Sequence, residues 1–390
     1  YNLELDFALK LTDIGDLKRA KILLQKYILI DQNNPNAYMY LAKIEYWQNN
    51  YNTALEFIQK ASELLPNNIE IRDLYSIILR AAAPWIAAKG AYFEDNQPLR
   101  IKQFQFQTGG YIHPLVTPTI SLESKLFSSR KYNSGTKLLQ LQNTSYISST
   151  RTKINVGMGT FLYPNNSRHI VWKTDINQFV YKTIQLQAKI EHKPYVLLYK
   201  NLDTEVLYND VWIGLTREKK NGLNAQIAYV SNIFSDGNAI NTKYAWFVTP
   251  LLLDPKLSVS GGYGFSSTNS KTDVYTSQTP ENELLKEVFL GNEIQGYFPE
   301  YVTPMQQKIH SLITVVNYNP NKKFQFSLSA SYGFYAQINT PYVYAYLDQN
   351  SELVVSREYY TEKFKPLEFK ANFNYMISPT LTGNFEFKRS

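Results

Sequence analysis

Apolar and polar residues alternate in two different rhythms along this chain, and the rhythm changes near residue 84. Before that point, apolar residues recur at helical spacing. The spacing predicts helices over about 36–48 and 51–64, separated by the polar turn Gln48-Asn49-Asn50, and a third over Ile69–Ala82 that ends near Pro84. After that point, apolar and polar residues alternate every second position, segment after segment. In 324–334, Phe324, Phe326, Leu328, Ala330, Tyr332 and Phe334 alternate with Gln325, Ser327, Ser329, Ser331 and Gly333. In 367–375, Leu367, Phe369, Ala371, Phe373 and Tyr375 alternate with Glu368, Lys370, Asn372 and Asn374. A period of two is that of a strand with unlike faces.

The helical part repeats. In residues 35–68, Leu41 and Ala42, then Tyr51, Ala54, Ile58 and Ala61, with Pro66 closing, follow the roughly 34-residue tetratricopeptide spacing. Small residues at 42, 54 and 61 let two antiparallel helices approach, and the large ones fill the groove between them. One period earlier, Phe7, Ala8, Ala20 and Leu24 take the equivalent places, although Glu4 stands where an aromatic is usual and Gln32 where the proline is. Two repeats fall short of the roughly three that a solenoid needs, so the array is expected to continue before Tyr1 or to lean on the β domain. A protein-binding platform and a packing spacer both fit.

The alternating part has about fifteen strand-like segments, from 85–93 to 380–389. Single-chain bacterial barrels usually have an even number, so about 14–16 strands are expected. Segments 269–306 and 337–363 read as long extracellular connections, the second with room for two more strands. A soluble β-sandwich alternates too. Long segments, 31 Tyr and 21 Phe, and aromatics at segment ends (Tyr163, Tyr181, Tyr263, Tyr375) favour an outer-membrane barrel with interfacial girdles. The expected fold class is therefore α plus membrane β-barrel: helical repeats over 1–84, periplasmic, and a transmembrane antiparallel barrel over 85–390. Periodicity assigns Lys153, Asn155, Asp175, Gln187, Lys189, Glu191, Glu368 and Lys370 to the lumen face, because charges at these depths call for a wet interior.

Composition narrows the chemistry. The absence of cysteine excludes disulfides, a thiol nucleophile and thiolate metal sites. The chain begins at Tyr1, which leaves room for a removed signal peptide. No apolar run reaches the length of a spanning helix, a test blind to barrels. Residues 1–84 carry 9 Lys/Arg and 10 Asp/Glu, the remainder 31 and 23. A basic barrel favours lipopolysaccharide or an acidic glycan as partner, but the charges are dispersed, and nucleic acid is not expected.

Helical repeats running into a Tyr-rich barrel resemble the outer-membrane exopolysaccharide secretion proteins: the cellulose-synthase C subunit, the poly-N-acetylglucosamine porin and the YaiO-type barrels. The opening strand Lys89-Gly90-Ala91-Tyr92-Phe93-Glu94-Asp95-Asn96 is similar to theirs. The chain departs from that family in its short array and in its ending, Phe387-Lys388-Arg389-Ser390, which lacks the usual terminal aromatic and implies a shortened C terminus. The resemblance implies periplasmic repeats that recruit protein partners and a barrel that passes a glycan outward. Weak, many-site contact suits such transport, since a tightly held chain does not move. The alternatives are a non-conducting scaffold and, more remotely, a lipid- or glycan-modifying barrel enzyme.

Nothing in the sequence makes a catalytic constellation. His113, His169, His192 and His310 lack the spacing of a helical metal pair. His310-Ser311 and Glu94-Asp95 are neighbours on strands and should point to opposite faces. Gly109-Gly110 and Gly261-Gly262 have no phosphate-loop context and read as crowded strand glycines. No catalytic residue, metal site or cofactor is expected.

Overall fold

The computed structural model describes residues 3–94, 100–128, 133–181, 183–196, 201–219, 221–290, 294–321, 323–350, 352–378 and 381–389. Five helices come first: α1 (Leu3–Ile14), α2 (Leu17–Ile30), α3 (Pro35–Trp47), α4 (Tyr51–Leu64) and α5 (Ile69–Ala82). Their starts are written in the sequence. The side chain of Asn34 accepts from the amides of Asn36 and Ala37 with Pro35 at the first helical position, and Asn68 caps α5 through the Ile71 amide. Leu41, Ala42, Ala54 and Ala61 are fully buried between these helices, as are Ala20 and Leu24 one period earlier. Pro66 lies in the exposed turn after α4. Phe7, expected to fill the same groove, is half exposed; Leu5, Ala8 and Leu11 make that contact instead.

Strands begin at once after α5. They are β1 (Trp85–Glu94), β2 (Arg100–Gly109), β3 (Thr117–Ser128), β4 (Asn133–Ile147), β5 (Thr152–Leu162), β6 (Arg168–Tyr181) and β7 (Ile184–Pro194). A one-turn helix α6 (Asn201–Thr204) precedes β8 (Leu207–Arg217), β9 (Asn224–Phe234), β10 (Ala239–Leu253) and β11 (Leu257–Ser270). The next connection holds the two-residue strands β12 (Thr276–Ser277) and β13 (Gly296–Tyr297) around helix α7 (Glu281–Leu290). The chain then forms β14 (Met305–Tyr318), β15 (Phe324–Leu347), β16 (Leu353–Phe364), β17 (Leu367–Ser378) and β18 (Leu381–Arg389).

All of these strands except β12 and β13 share one 16-stranded sheet. Strand β16 pairs only with the outer half of β15, and the other fifteen close into a barrel. Neighbours are antiparallel except at the seam, where β1 and β18 run parallel from Ala88↔Gly383 to Glu94↔Arg389. The connection 337–363, expected as an extracellular loop with room for two strands, is largely strand. β15 runs on past its neighbours, because Asn339 is its last partner on β14, and it turns back as β16. The eight residues from Thr340 to Leu347 carry this hairpin roughly 27 Å beyond the rim at ~3.4 Å per residue.

The two faces of the closed sheet differ sharply. Phe104, Phe106, Ile120, Leu122, Leu139, Leu141, Met158 and Ile170 stand on one face, and Met158 and Ile170 are 65% and 67% exposed. The other face is concave: one cavity touches Gln105 and Gln107 of β2, Lys125 of β3, Gln142 of β4, Lys173 of β6, Lys193 of β7 and Tyr208 of β8. A space shared by strands from β2 round to β8 lies inside their curve. The apolar set therefore faces outward, as lipid requires. Among the described residues no helix is long and apolar enough to cross a membrane.

The helices sit at the end of the barrel that carries the short turns. The Tyr51 amide donates to Tyr111 Oη at 3.1 Å, Asn52 Nδ2 donates to the Ile112 carbonyl at 3.2 Å, and the Arg151 guanidinium reaches the Gly15 carbonyl at 3.4 Å. The Tyr51 and Tyr111 rings lie 4.5 Å apart. Between α2 and the β4–β5 turn lies a cleft of about 660 Å³ lined by Lys18, Lys21, Trp47, Tyr146 and Arg151.

Candidate functional site

Six of the eight polar residues assigned by periodicity lie side by side on the concave face. Register sets Lys153 and Gln187 on either side of Asn177, Asn155 opposite Asp175, and Asp175 opposite Lys189. Asp175 accepts from Asn155 Nδ2 at 3.3 Å and from Asn177 Nδ2 at 2.7 Å. Glu191 joins Lys189 at 2.7 Å and Lys193 at 2.9 Å, and Lys193 goes on to Asp210 at 2.6 Å. Each carboxylate here has a cation or amide donor, as charges on an inner wall require. Glu368 and Lys370 share that face but not that group. They lie across the seam on β17, in a second cluster where Glu386 bridges Lys89 at 3.2 Å and Lys370 at 3.4 Å.

Alternation alone does not single out the aromatic part of this wall. Trp212, Tyr244 and Trp246 share the concave face with Gln226, by the pairings Trp212↔Val230, Ala228↔Tyr244 and Gln226↔Trp246. Trp212 Nε1 donates to Tyr244 Oη at 2.8 Å, Tyr244 Oη to Gln226 Oε1 at 3.3 Å, and Trp246 Nε1 to the same oxygen at 3.0 Å. Gln226 Nε2 in turn donates to Thr216 Oγ1 at 2.9 Å, and Thr216 to Gln187 Oε1 at 3.4 Å. The ring N–H and O–H groups are thus spent within the wall, while the rings stay half-buried. The indole of Trp212 lies back over Gly214, where an added Cβ would come within 2.6 Å of its Cη2. Glycine there is what lets the ring lie along the wall. Trp212, Asp175, Asn177, Gln187 and Lys189 line a common cavity of about 310 Å³. The sequence hides these rings because β8 and β10 carry large residues on both faces, with Ile213 and Phe247 pointing outward beside Trp212 and Trp246. The clue is the small residues, Gly214 and Ala228, set opposite one another.

At the long-loop end, two connections fold together over the mouth. Tyr195, Val206, Phe234, Ile240 and Tyr301 form a buried cluster, with the Phe234 and Tyr301 rings stacked at 3.7 Å. Asn201 donates to the Glu300 carbonyl, and Tyr301 donates to Asp236 in the turn containing Gly237, whose φ of +81° suits glycine. Tyr163, expected in an interfacial girdle, belongs here instead: it is buried against Phe161, Val171 and Val196 and meets His169 edge-on. Tyr263 is not at a strand end either; it sits at mid-strand, hydrogen-bonded to His310 Nδ1 at 2.6 Å. Tyr181 and Tyr375 are exposed on the outer face near strand ends.

His310 and Ser311 fall to different neighbours. The register of β14 shifts between His310 and Ser311, and His310 is engaged with Tyr263 while Ser311 is buried opposite Gly333. Asp95 and Asn96 lie outside the described residues. At Gly262 an added Cβ would fall 1.9 Å from the Phe247 carbonyl oxygen, which is the crowding such a strand glycine relieves. Among the described residues no group of three or more His, Cys, Asp or Glu is placed to hold a metal.

One contact in the mouth is set to respond to acid. Glu205 accepts from Asn165 Nδ2 at 2.5 Å and contacts His169 Nε2 at 2.8 Å, tying the segment after α6 to the β5–β6 turn. These hydrogen bonds, that of Asn165 foremost, hold the Glu205 carboxyl down at about 2. A carboxylate depressed in the folded state stabilises above its ordinary value of 4.5, and that contribution is lost as pH falls from there toward about 2. Protection of the 201–206 amides, taken relative to the intrinsic exchange rate at each pH, is therefore expected to fall over that window, and Glu205→Gln is expected to abolish the pH dependence of that protection. Unchanged acid sensitivity in the variant would remove Glu205 as its source.

With the helical pairs and the barrel in place, comparison with known proteins adds one firm point. Residues 11–78 match the tetratricopeptide-repeat family. The match begins within α1 and ends within α5. No curated protein matches the chain by sequence. Among solved structures, the chain aligns with a bacterial polysaccharide outer membrane secretin at 6% identity, over 74% of this chain and 87% of the other, with a TM-score of 0.46. It aligns with the siderophore receptor PirA from Acinetobacter baumannii at 8% identity, over 72% of this chain and 51% of the receptor, with a TM-score of 0.34. At these scores neither likeness bears on function, which has to be read from the geometry of the chain itself.

Proposed function

We propose that this protein is an outer-membrane conduit or docking component for surface polysaccharide, with residues 1–84 as a periplasmic recruiting domain and residues 85–390 as the transmembrane barrel. The observation that carries the reading is the inner wall. Side-chain amides, a hydroxyl and ring N–H and O–H groups are joined in one network from Gln187 to Trp246, and Asp175 and Lys189 stand beside it around a cavity, offering many weak contacts to a hydroxyl-rich chain. The tetratricopeptide repeats at the short-turn end support a periplasmic placement, since short turns face that side in barrels of this kind. The resemblance to exopolysaccharide secretion proteins points the same way. Lipopolysaccharide and outer-membrane lipid would surround the barrel, and protein partners would meet the repeats.

Purified protein in a planar bilayer tests this. Stable openings blocked by added oligosaccharide are expected. Charge reversal by Lys189→Glu is expected to move the reversal potential toward cation selectivity, because Lys189 stands beside the cavity that Trp212 lines. A folded barrel that never opens would refute conduction. It would favour the second reading, a non-conducting scaffold, which draws its support from the packed cluster of Tyr195, Phe234 and Tyr301 over the mouth.

A further inference from the structure

The hairpin of β15 and β16 stands clear of the barrel, and its two faces have different fates. One face is covered. Val343 and Ala345 pack against Leu284 of α7 and Ile294, while Arg357 donates to the Asp273 and Tyr275 carbonyls. The other face is open and carries Tyr342, Tyr344 and Tyr346 in a row, with ring centroids 6.0 and 5.8 Å apart, and Tyr360 at 6.2 Å from Tyr342. Tyr342 Oη donates to Glu358 at 2.6 Å and Tyr344 Oη to the other oxygen of the same carboxylate at 2.9 Å. The hydroxyls are pinned at one edge, and the ring faces are left to solvent.

This open face continues the inner wall. The register of β15 shifts where Ser311 faces Gly333 and His310 faces Tyr335, so that beyond the shift Ala336 lies opposite the inward Ile309. Strand alternation then puts Ile338, Thr340, Tyr342, Tyr344 and Tyr346 on the lumen side. A polymer leaving the barrel along this wall would meet the tyrosines next.

We propose that the Tyr342–Tyr344–Tyr346 ladder with Tyr360 is a binding surface for an uncharged or amine-bearing glycan chain at the mouth of the barrel. Rings recurring at every second residue of a strand have a spacing of the same order as one pyranose unit. The electron-rich face of each ring accepts the weakly positive C–H face of a sugar. The charges on this face select the ligand: Glu358 and Glu362 are both acidic, with Glu362 held by Thr340 Oγ1 at 2.9 Å, while alternation puts Arg357 and Lys363 on the opposite side. A uronate polymer or a nucleic acid would be repelled. The choice of a glycan rests on the conduit reading, but binding to the ladder does not require the lumen to be open.

The test uses the detergent-solubilised full chain and isothermal titration with three probes: a β-linked glucose hexamer, a glucosamine hexamer and a uronate hexamer. The first two are expected to bind and the third not. The Tyr344→Ala/Tyr346→Ala pair should weaken binding at least tenfold with bilayer conductance and thermal unfolding unchanged, and the Tyr344→Phe/Tyr346→Phe pair, which keeps the rings, should restore it. No binding by the wild-type chain, equal binding by the alanine variant, or a protein captured by the hairpin with no glycan bound would each overturn the proposal. A silent channel whose ladder still binds would refute conduction alone.

Discussion

Replacing Lys21 by Met is expected to lower the unfolding free energy of the helical segment by about 3 kcal/mol, at the lower end of the cost of breaking a buried ion pair. Glu45 is the reason. Its side chain is 1% exposed between helices, Lys21 Nζ lies 2.5 Å from Oε1, and Asn50 Nδ2 donates to Oε2 at 3.0 Å. Without the ammonium, a carboxylate is left in the core with one amide for company. The lower end applies because the Lys21 side chain is itself 31% exposed, so water already shares its charge. The double variant Lys21→Met/Glu45→Met removes both charges and fills the volume, and it should recover most of the loss. Chemical denaturation followed by the far-ultraviolet helical signal measures both. A single variant as stable as the wild type would mean that Glu45 is not held there as a buried charge.

The second large effect concerns the faces of the barrel. Leu141 and Gln142 are neighbours on β4; Leu141 pairs with Ile120 and Met158 in the outward set, while Gln142 donates to Gln140 at 2.7 Å on the inner wall. Leu141→Arg should cost ~2–4 kcal/mol of folding stability in a bilayer if the residue lies near the midplane. Gln142→Arg, one residue along, should cost little, because the inner wall already holds Lys125 and Lys173 around the same cavity. Refolding yield into lipid vesicles separates the two. Equal losses would mean that the two faces do not differ in solvent, and the membrane reading would fall with them.

Much of the architecture is legible in the sequence, and for a definite reason. Helical and strand periods are local, so α5 over Ile69–Ala82 and the fifteen barrel strands can be read from windows of a dozen residues. What escapes is set by partners distant along the chain. Tyr163 looks like a girdle tyrosine until Val196, from another connection, packs against it. The β15–β16 hairpin looks like a loop because the sequence does not show where β14 and β17 stop pairing. On the inner wall, alternation says which residues share a face, but only the register shows that Asp175 and Lys189 adjoin while Lys370 lies across the seam. Trp212 escapes altogether, since a tryptophan beside Val211 and Ile213 reads as one more apolar position.

The parallel seam has a consequence for how the molecule is made. Ala88 meets Gly383 and Glu94 meets Arg389, so the first strand must wait for the last before the ring is complete. Contacts so remote in sequence form slowly, because a long stretch of chain has to be ordered around them. The helical pairs ahead of β1 need only near neighbours and can be finished long before. During assembly, β1 is therefore an unpaired edge attached to an already folded segment. Whatever shields that edge until residues 381–389 arrive controls whether the chain ends as a barrel or as an aggregate.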